Sequence, residues 1–178
     1  MDTPDWYSEV KTKHGDVILG ERFSLPGELE IRVKSTAIVD VLKTLKSMPE
    51  GVDHLSDLTA YDDVPNKPRF KVVYELISMA RKTRCCVIAE IENDEAPQLP
   101  TVTDIWKGAN WLEREVYDMY GIHFVGHPDL RRILMPQVFK GHPLRKDFVW
   151  DYRQEFEDSS DGSDAFDPFT NNVVDEGK

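Results

Sequence analysis

The apolar positions of this chain change period several times, and each change marks an element. Leu29, Ile31 and Val33 alternate with charged residues, which predicts a strand over Glu28 to Val33; a first strand over Asp16 to Phe23 precedes it, with Pro26-Gly27 as the turn. The period then lengthens. Ile38, Val41, Leu42, Leu45 and Met48 recur three and four residues apart, predicting a helix N-capped by Ser35, running to about Met48 and stopped by Pro49-Glu50-Gly51. Three more strands follow, over Val52 to Thr59, Phe70 to Ser78 and Thr83 to Ile91. The apolar run Cys85 to Ala89 in the last suggests a strand covered on both faces. The first ten residues read as a short helix or frayed start around Trp6, Tyr7 and Val10.

These elements sum to an α/β (α+β) class: a small mixed or antiparallel sheet with packed helices, followed by an extended irregular C-terminal segment. Asp62 to Pro68 reads as a surface loop, and Glu92 to Pro100, with two prolines and three acids, as an internal boundary. Beyond it Thr103 is placed to cap a helical turn through Trp106, Gly108 interrupts it, and Asn110 is placed to cap a helix that continues through Leu112 to Tyr120 and is closed by Gly121. From Gly121 to about Trp150 neither period is sustained. A stretch of that length without regular structure is usually functional or laid along a partner. The expected organisation is residues 1–100 as an α/β domain, 101–150 as a helix plus docking segment, and 151–178 as an acidic, flexible tail.

Composition narrows the class. The chain has 178 residues, 40% of them hydrophobic and 31% charged, as in a globular protein with a core of its own. No apolar run approaches the roughly 20 residues that span a bilayer, and the first residues lack the basic and apolar regions of a signal peptide. The two cysteines, Cys85 and Cys86, are adjacent, and strand geometry sends them to opposite faces, so a structural disulfide is not expected and a reducing compartment is. The net charge of -11 is uneven: residues 151–178 hold nine acids against two bases, whereas residues 105–150 hold five acids against seven bases. That locally basic strip is too small for nucleic-acid binding and suits carboxylates of a partner or of its own helix.

The strip holds the densest chemistry. Gly126-His127-Pro128 recurs fifteen residues later as Gly141-His142-Pro143, each motif followed by Leu and Arg. Asp118, close to the Gly121 terminus, stands where the helix dipole disfavours a carboxylate by roughly 0.3–1 kcal/mol, so it requires a partner: Arg131 or Arg132 folding back, or an arginine of another protein. Leu112, Val116 and Met119 share the face expected to meet the sheet, leaving Glu113, Arg114, Tyr117 and Asp118 facing away from the core. Glu113-Arg114-Glu115 reads as a solvated face or a contact surface, and Arg131-Arg132 and Arg145-Lys146-Asp147 as solvated charge or interface pairs. His123 and His127 have the spacing of a helical metal site, but Gly121, Gly126 and Pro128 break that helix; a metal-dependent enzyme using His123, His127 and His142 is the reading this disfavours. No nucleophile and base pair, dinucleotide fingerprint or P-loop is present, and two cysteines cannot hold a four-thiolate cluster alone.

Glu113-Arg114-Glu115-x-Tyr117-Asp118-Met119-Tyr120-Gly121-Ile122, then His127-Pro128-Asp129-Leu130-Arg131-Arg132-Ile133-Leu134 and Gly141-His142-Pro143-Leu144-Arg145-Lys146-Asp147-Phe148, together resemble the signature of the C subunit, the 30 kDa-type subunit, of respiratory complex I, the proton-pumping NADH:quinone oxidoreductase. Weaker similarity reaches Leu55 to Thr59 and Val102 to Trp106, fades in the first fifty residues, and stops at the acidic tail. The resemblance implies a non-catalytic member of the peripheral arm, docked chiefly on the D subunit, which resembles a hydrogenase large subunit, with the B and I subunits nearby. It implies a place at the cytoplasmic side of the cell inner membrane, touched only through the complex. It implies no catalytic, cofactor-binding or metal residues here, with FMN, iron-sulfur clusters and quinone held by other members of the complex. The residues it implicates in the partner interface are Glu113, Arg114, Tyr117, Asp118, His127, Arg131, Arg132, His142, Arg145, Lys146 and Asp147. The equivalent subunit of a membrane-bound hydrogenase or related dehydrogenase is the alternative.

Overall fold

A computed structural model describes residues 5–25, 28–49 and 51–149. In chain order the elements are α1 (Asp5–His14), β1 (Ile18–Leu25), β2 (Glu28–Lys34), a 3-10 turn (Ser35–Ala37), α2 (Ile38–Ser47), β3 (His54–Asp62), β4 (Phe70–Ser78), β5 (Thr83–Ile91), β6 (Gln98–Pro100), α3 (Ala109–Tyr120) and β7 (His123–Val125). Five strands form a mixed sheet in the order β1-β2-β5-β4-β3, in which β2 and β5 are parallel and the other pairs antiparallel. The expected α+β class with a small mixed sheet is the observed one.

Strand alternation decides which face of the sheet the helices cover. Leu29, Ile31 and Val33 of β2, Phe70, Val72, Tyr74 and Leu76 of β4, and Cys85, Val87, Ala89 and Ile91 of β5 enter one core with Tyr7 and Val10 of α1, Ile38, Val41, Leu42 and Leu45 of α2, and Val116 of α3. Each fully buried Val, Leu, Ile or Phe among them contributes roughly 1.5–3 kcal/mol. The apolar run in β5 suggests cover on both faces, and from Val87 to Ile91 every residue is buried. Ile88 is buried but lies outside that core, flanked in register by Arg32 and Val73, so its shielding comes from neighbouring strands and the helices cover one face. Cys85 is buried, Cys86 is half-buried, and both are free.

Three expected caps are absent. Ser35 opens the 3-10 turn instead of capping α2, which ends at Ser47. Asn110 lies inside the first turn of α3, whose N-cap is Gly108 without a side-chain bond. Thr103 bonds to the Thr101 hydroxyl while the turn that follows is closed on the Val102 carbonyl. The prolines and acids of 92–100 conceal β6, which pairs in parallel with β7, so a two-stranded ladder ties the residues before α3 to those after it. The described residues through Phe148 belong to one compact unit. Among them no helix is long and apolar enough to cross a membrane. The acidic tail expected over 151–178 lies outside the described residues.

Candidate functional site: the α3 segment and its return strip

Helix α3 ends as its glycine dictates. Gly121 adopts φ +70°, and its N–H donates to the Tyr117 carbonyl at 2.8 Å. The turn sends the chain back along the helix, and the strip from residue 122 to 148 is then held by two buried carboxylates.

The first is Asp118, which has no exposed surface. Its Oδ1 accepts from Arg132 at 2.6 Å, and its Oδ2 accepts three successive backbone N–H groups, from Ile133 at 3.0 Å, Leu134 at 2.8 Å and Met135 at 2.8 Å. Of the alternatives open at Asp118, the structure selects Arg132 folding back. Burial alone would raise this carboxyl; the Met135 N–H, the Arg132 guanidinium and the N–H groups of Ile133 and Leu134 outweigh it and hold the pKa below the usual carboxylate value. Arg132 also donates to the Gly141 carbonyl at 2.9 Å and lies over the Phe139 ring. Met119 and Asp118, whose carbonyls the helix leaves unpaired, accept from the Leu144 N–H at 3.1 Å and from His142 Nδ1 at 2.9 Å. The second Gly-His-Pro motif is therefore the C-terminal cap of α3.

The second carboxylate is Asp62, at the end of β3. It binds Arg69 through two contacts of 2.6 and 2.8 Å and accepts the Lys146 N–H at 2.8 Å. Arg69 reaches on to Asp147 at 2.8 Å, and Arg69 and Arg145 both lie over the Phe70 ring, at 4.7 and 4.8 Å. Arg69 draws Asp62 down to about 2 against the opposing effect of burial, with the Lys146 N–H adding to the pull. Composition makes Asp62 to Pro68 a surface loop, and for Asp62 the structure corrects this. The missed signal is register: Asp62 continues the Leu58, Ala60 alternation and so belongs to the buried side of β3.

The expectation that Glu113, Arg114 and Asp118 face away from the core fails, because α3 is covered on two sides. Glu113 lies between Ala109 and Val116 on the stripe that meets the sheet, and has no exposed surface. Arg114 and Asp118, one turn apart, are covered by the chain's own return strip; Arg114 donates to the carbonyls of Arg131 at 3.2 Å and Arg132 at 3.1 Å. Leu112 packs against the core, and Val116 and Met119 are buried. Tyr117 is half-buried with its ring edge-on to His142. Arg131 pairs with Asp129 at 2.8 Å, and Arg145 with Asp147 at 3.4 Å.

Around Glu113 a second network forms. Its Oε1 accepts the Val102 N–H at 2.7 Å and its Oε2 is 2.5 Å from the Thr101 hydroxyl. His127 Nδ1 accepts the Asp129 N–H at 3.0 Å, which leaves Nε2–H to donate to the Asn110 carbonyl at 3.2 Å, 4.0 Å from Glu113. His123 is exposed on β7, apart from this arrangement, and among the described residues no three His, Cys, Asp or Glu side chains are grouped to hold a metal.

Large apolar side chains remain outside on α3 and the return strip, among exposed polar and charged ones. Trp111, Val125, Leu134, Val138 and Leu144 each have at least half of their surface exposed. Chemically, the strip is an irregular backbone made rigid from within, presenting large apolar side chains and a few charged heads outward.

A family model described as the respiratory-chain NADH dehydrogenase 30 Kd subunit matches residues 31–154. The C subunit of the NADH-quinone oxidoreductase of Roseiflexus castenholzii is 41% identical over 148 residues, 83% of this chain and 84% of the relative. The mitochondrial NADH-ubiquinone oxidoreductase 30.4 kDa subunit of Neurospora crassa is 40% identical over 144 residues, 76% of this chain and 50% of its own length. A chain in the structure of the membrane-bound sulfane sulfur reductase, an archaeal respiratory membrane complex, superposes with a TM-score of 0.65 at 28% identity, covering 80% of this chain and 83% of that one.

Proposed function

The chain belongs to the family of 30 kDa subunits of the respiratory-chain NADH dehydrogenase, and from that premise we propose that it is a non-catalytic docking subunit of an NADH:quinone oxidoreductase, seated in the peripheral arm on the hydrogenase-like D subunit. The observation that carries this reading is the set of exposed apolar side chains, Trp111, Val125, Leu134, Val138 and Leu144, on a segment whose buried charges, Glu113, Arg114 and Asp118, are engaged inward. Exposed apolar surface of this kind marks an interaction site. The residues expected at the interface divide by role. Glu113, Asp118 and His127 shape the strip from inside, with Arg114, Arg132 and His142, while Tyr117, Arg131, Arg145, Lys146 and Asp147 stand at its margin and set the partner's orientation.

The non-catalytic assignment rests on where the reactive side chains are used. His127 and His142 are engaged on backbone carbonyls, and Asp62 and Asp118 on arginines and N–H groups, as parts of the scaffold. FMN, iron-sulfur clusters and quinone belong, in this reading, to neighbouring proteins of the complex, with the B and I subunits near the D subunit, and the chain meets the cytoplasmic face of the membrane only through them. The likeness to a chain of the sulfane sulfur reductase favours one second reading, the same docking part in a related membrane complex with another electron donor or acceptor.

Site-specific photo-crosslinkers at Val138 and Leu144, in the complex solubilised from membranes, test the docking role. Covalent adducts with the hydrogenase-like D subunit are expected; adducts with a different protein of the complex, or none, contradict it. NADH:quinone reduction against sulfane sulfur reduction or hydrogen turnover by the same preparation separates the two readings.

A further inference from the structure

We propose that Glu113 is a reversible proton-binding site inside the chain: a buried carboxylic acid that exchanges its proton through the hydroxyls of Thr101 and Thr103, and whose charge state sets how firmly the first Gly-His-Pro turn is held against α3. This property belongs to the chain alone and does not depend on the identity of its partner.

The first support is the absence of any compensating charge among the described groups that face Glu113. His127, on the turn after β7, lies 4.0 Å away, and it is held neutral by its own bonds: Nδ1 is an acceptor for the Asp129 N–H, so a second ring proton would point at a donor. From β4 comes the buried hydroxyl of Tyr74, which has no hydrogen-bond partner among the described residues and whose own ionisation burial and the Glu113 charge both oppose. β3, which packs against α3, contributes Leu55, Leu58 and Ala60 to the same core, while Asp62 on that side of the strand is taken by Arg69. The link before α3 supplies Thr101, Thr103 and the Val102 N–H. An ionised Glu113 would be a charge with polar donors and no cation, an arrangement that favours the neutral form.

The second support is the hydroxyl chain. Thr101 Oγ1 lies 2.5 Å from Glu113 Oε2 and 3.0 Å from Thr103 Oγ1, and it also accepts the Thr103 N–H at 3.2 Å. A hydroxyl carries one hydrogen, so the chain has two complete arrangements. With the acid neutral, Glu113 donates to Thr101 and Thr101 to Thr103; with it ionised, Thr103 donates to Thr101 and Thr101 to Glu113. Passing from the first to the second releases one proton at Thr103, moves the Thr101 proton to Thr103 and the Glu113 proton to Thr101. No heavy atom has to move. Glu113 is sealed, Thr101 is half-buried and Thr103 is buried, so Thr101 is the more open of the two hydroxyls and joins the acid to the partly exposed part of the link. Burial pushes Glu113 up to about 7, against the opposing pull of Thr101 and the Val102 N–H, which places the exchange near neutrality.

Losing the proton puts a charge 4.0 Å from His127 in a site without a cation. Water drawn to that charge would compete for the His127 contacts to Asn110 and Asp129. Carbon-detected NMR of the full chain with labelled glutamate carboxyls reads this directly. One glutamate is expected to titrate near pH 7, displaced from the ordinary 4.5, and to vanish in Glu113→Gln. Thr101→Val is expected to move that midpoint higher, since the hydroxyl favours the ionised form, and this identifies the resonance should Glu113→Gln fail to fold. The protection of the Asp129 amide, its exchange taken relative to the intrinsic base-catalysed rate at each pH, should fall across the same midpoint in the parent chain and stay level in Glu113→Gln. A spectrum in which every glutamate titrates below about pH 5, or an Asp129 amide indifferent to the midpoint, overturns the proposal.

Discussion

The Arg132 guanidinium closes on the Asp118 carboxylate at 2.6 Å, and the three residues that follow Arg132 all turn their N–H groups to the same carboxylate. A helix-terminal acid that is locally unfavourable thus becomes the fixing point of a strip with almost no secondary structure. Asp118→Asn removes the charge and leaves Arg132 half-buried without its counter-ion. Breaking a buried pair of this kind costs roughly 3–5 kcal/mol. Chemical denaturation should show that loss, and amide exchange at Ile133, Leu134 and Met135 should quicken before the sheet does.

Asp62 does the same for the end of the strip, and its pH dependence has a definite sign. A carboxylate depressed from 3.8 to about 2 contributes stability that is present above pH 3.8 and is lost as pH falls through 2. The size is about 2 kcal/mol. Denaturation midpoints of the parent chain and Asp62→Asn, compared between neutral pH and about pH 2, should converge as the pH drops, with faster exchange of the Lys146 amide in the variant at neutral pH.

Gly121 is constrained twice. Its φ of +70° costs another residue roughly 1–2 kcal/mol. A Cβ there would also stand 2.5 Å from the His142 ring. Gly121→Ala should therefore lose more than the backbone penalty alone, and Gly121→Ala with His142→Ala should lose less than the sum of the two single variants. A double-mutant cycle in denaturant measures that coupling.

Much of this is legible from residue pattern. The period-two runs place β2, β4 and β5, the longer period places α2, and the position of Asp118 beside Gly121 announces a returning arginine. Less legible is anything that depends on the chain meeting itself. Glu113 reads as outward because its neighbours are charged, although Ala109, Glu113 and Val116 form a buried stripe. Arg114 is covered only because residues 131 and 132 return to it. Short β6 and β7 carry three residues each, too few to show a period, and Pro100 in β6 reads as a breaker. Asp62 pairs with a residue 84 positions away, which no local pattern encodes.

The outward apolar side chains predict a separation of assembly from folding. Arg132→Glu would disturb both, since Arg132 is committed to Asp118 and the Gly141 carbonyl. Leu134→Asp and Val138→Asp change side chains that already face outward, and surface changes of this kind shift stability by about 0.5 kcal/mol or less.

The most direct test is therefore affinity purification of the tagged full chain from solubilised membranes, beside the Leu134→Asp, Val138→Asp double variant, with thermal unfolding of both. If the exposed apolar set is the docking surface, the parent chain brings down the other proteins of an NADH:quinone oxidoreductase, and the variant unfolds at the same temperature yet comes down alone. A parent chain that comes down alone, or a variant that keeps its partners, would contradict it.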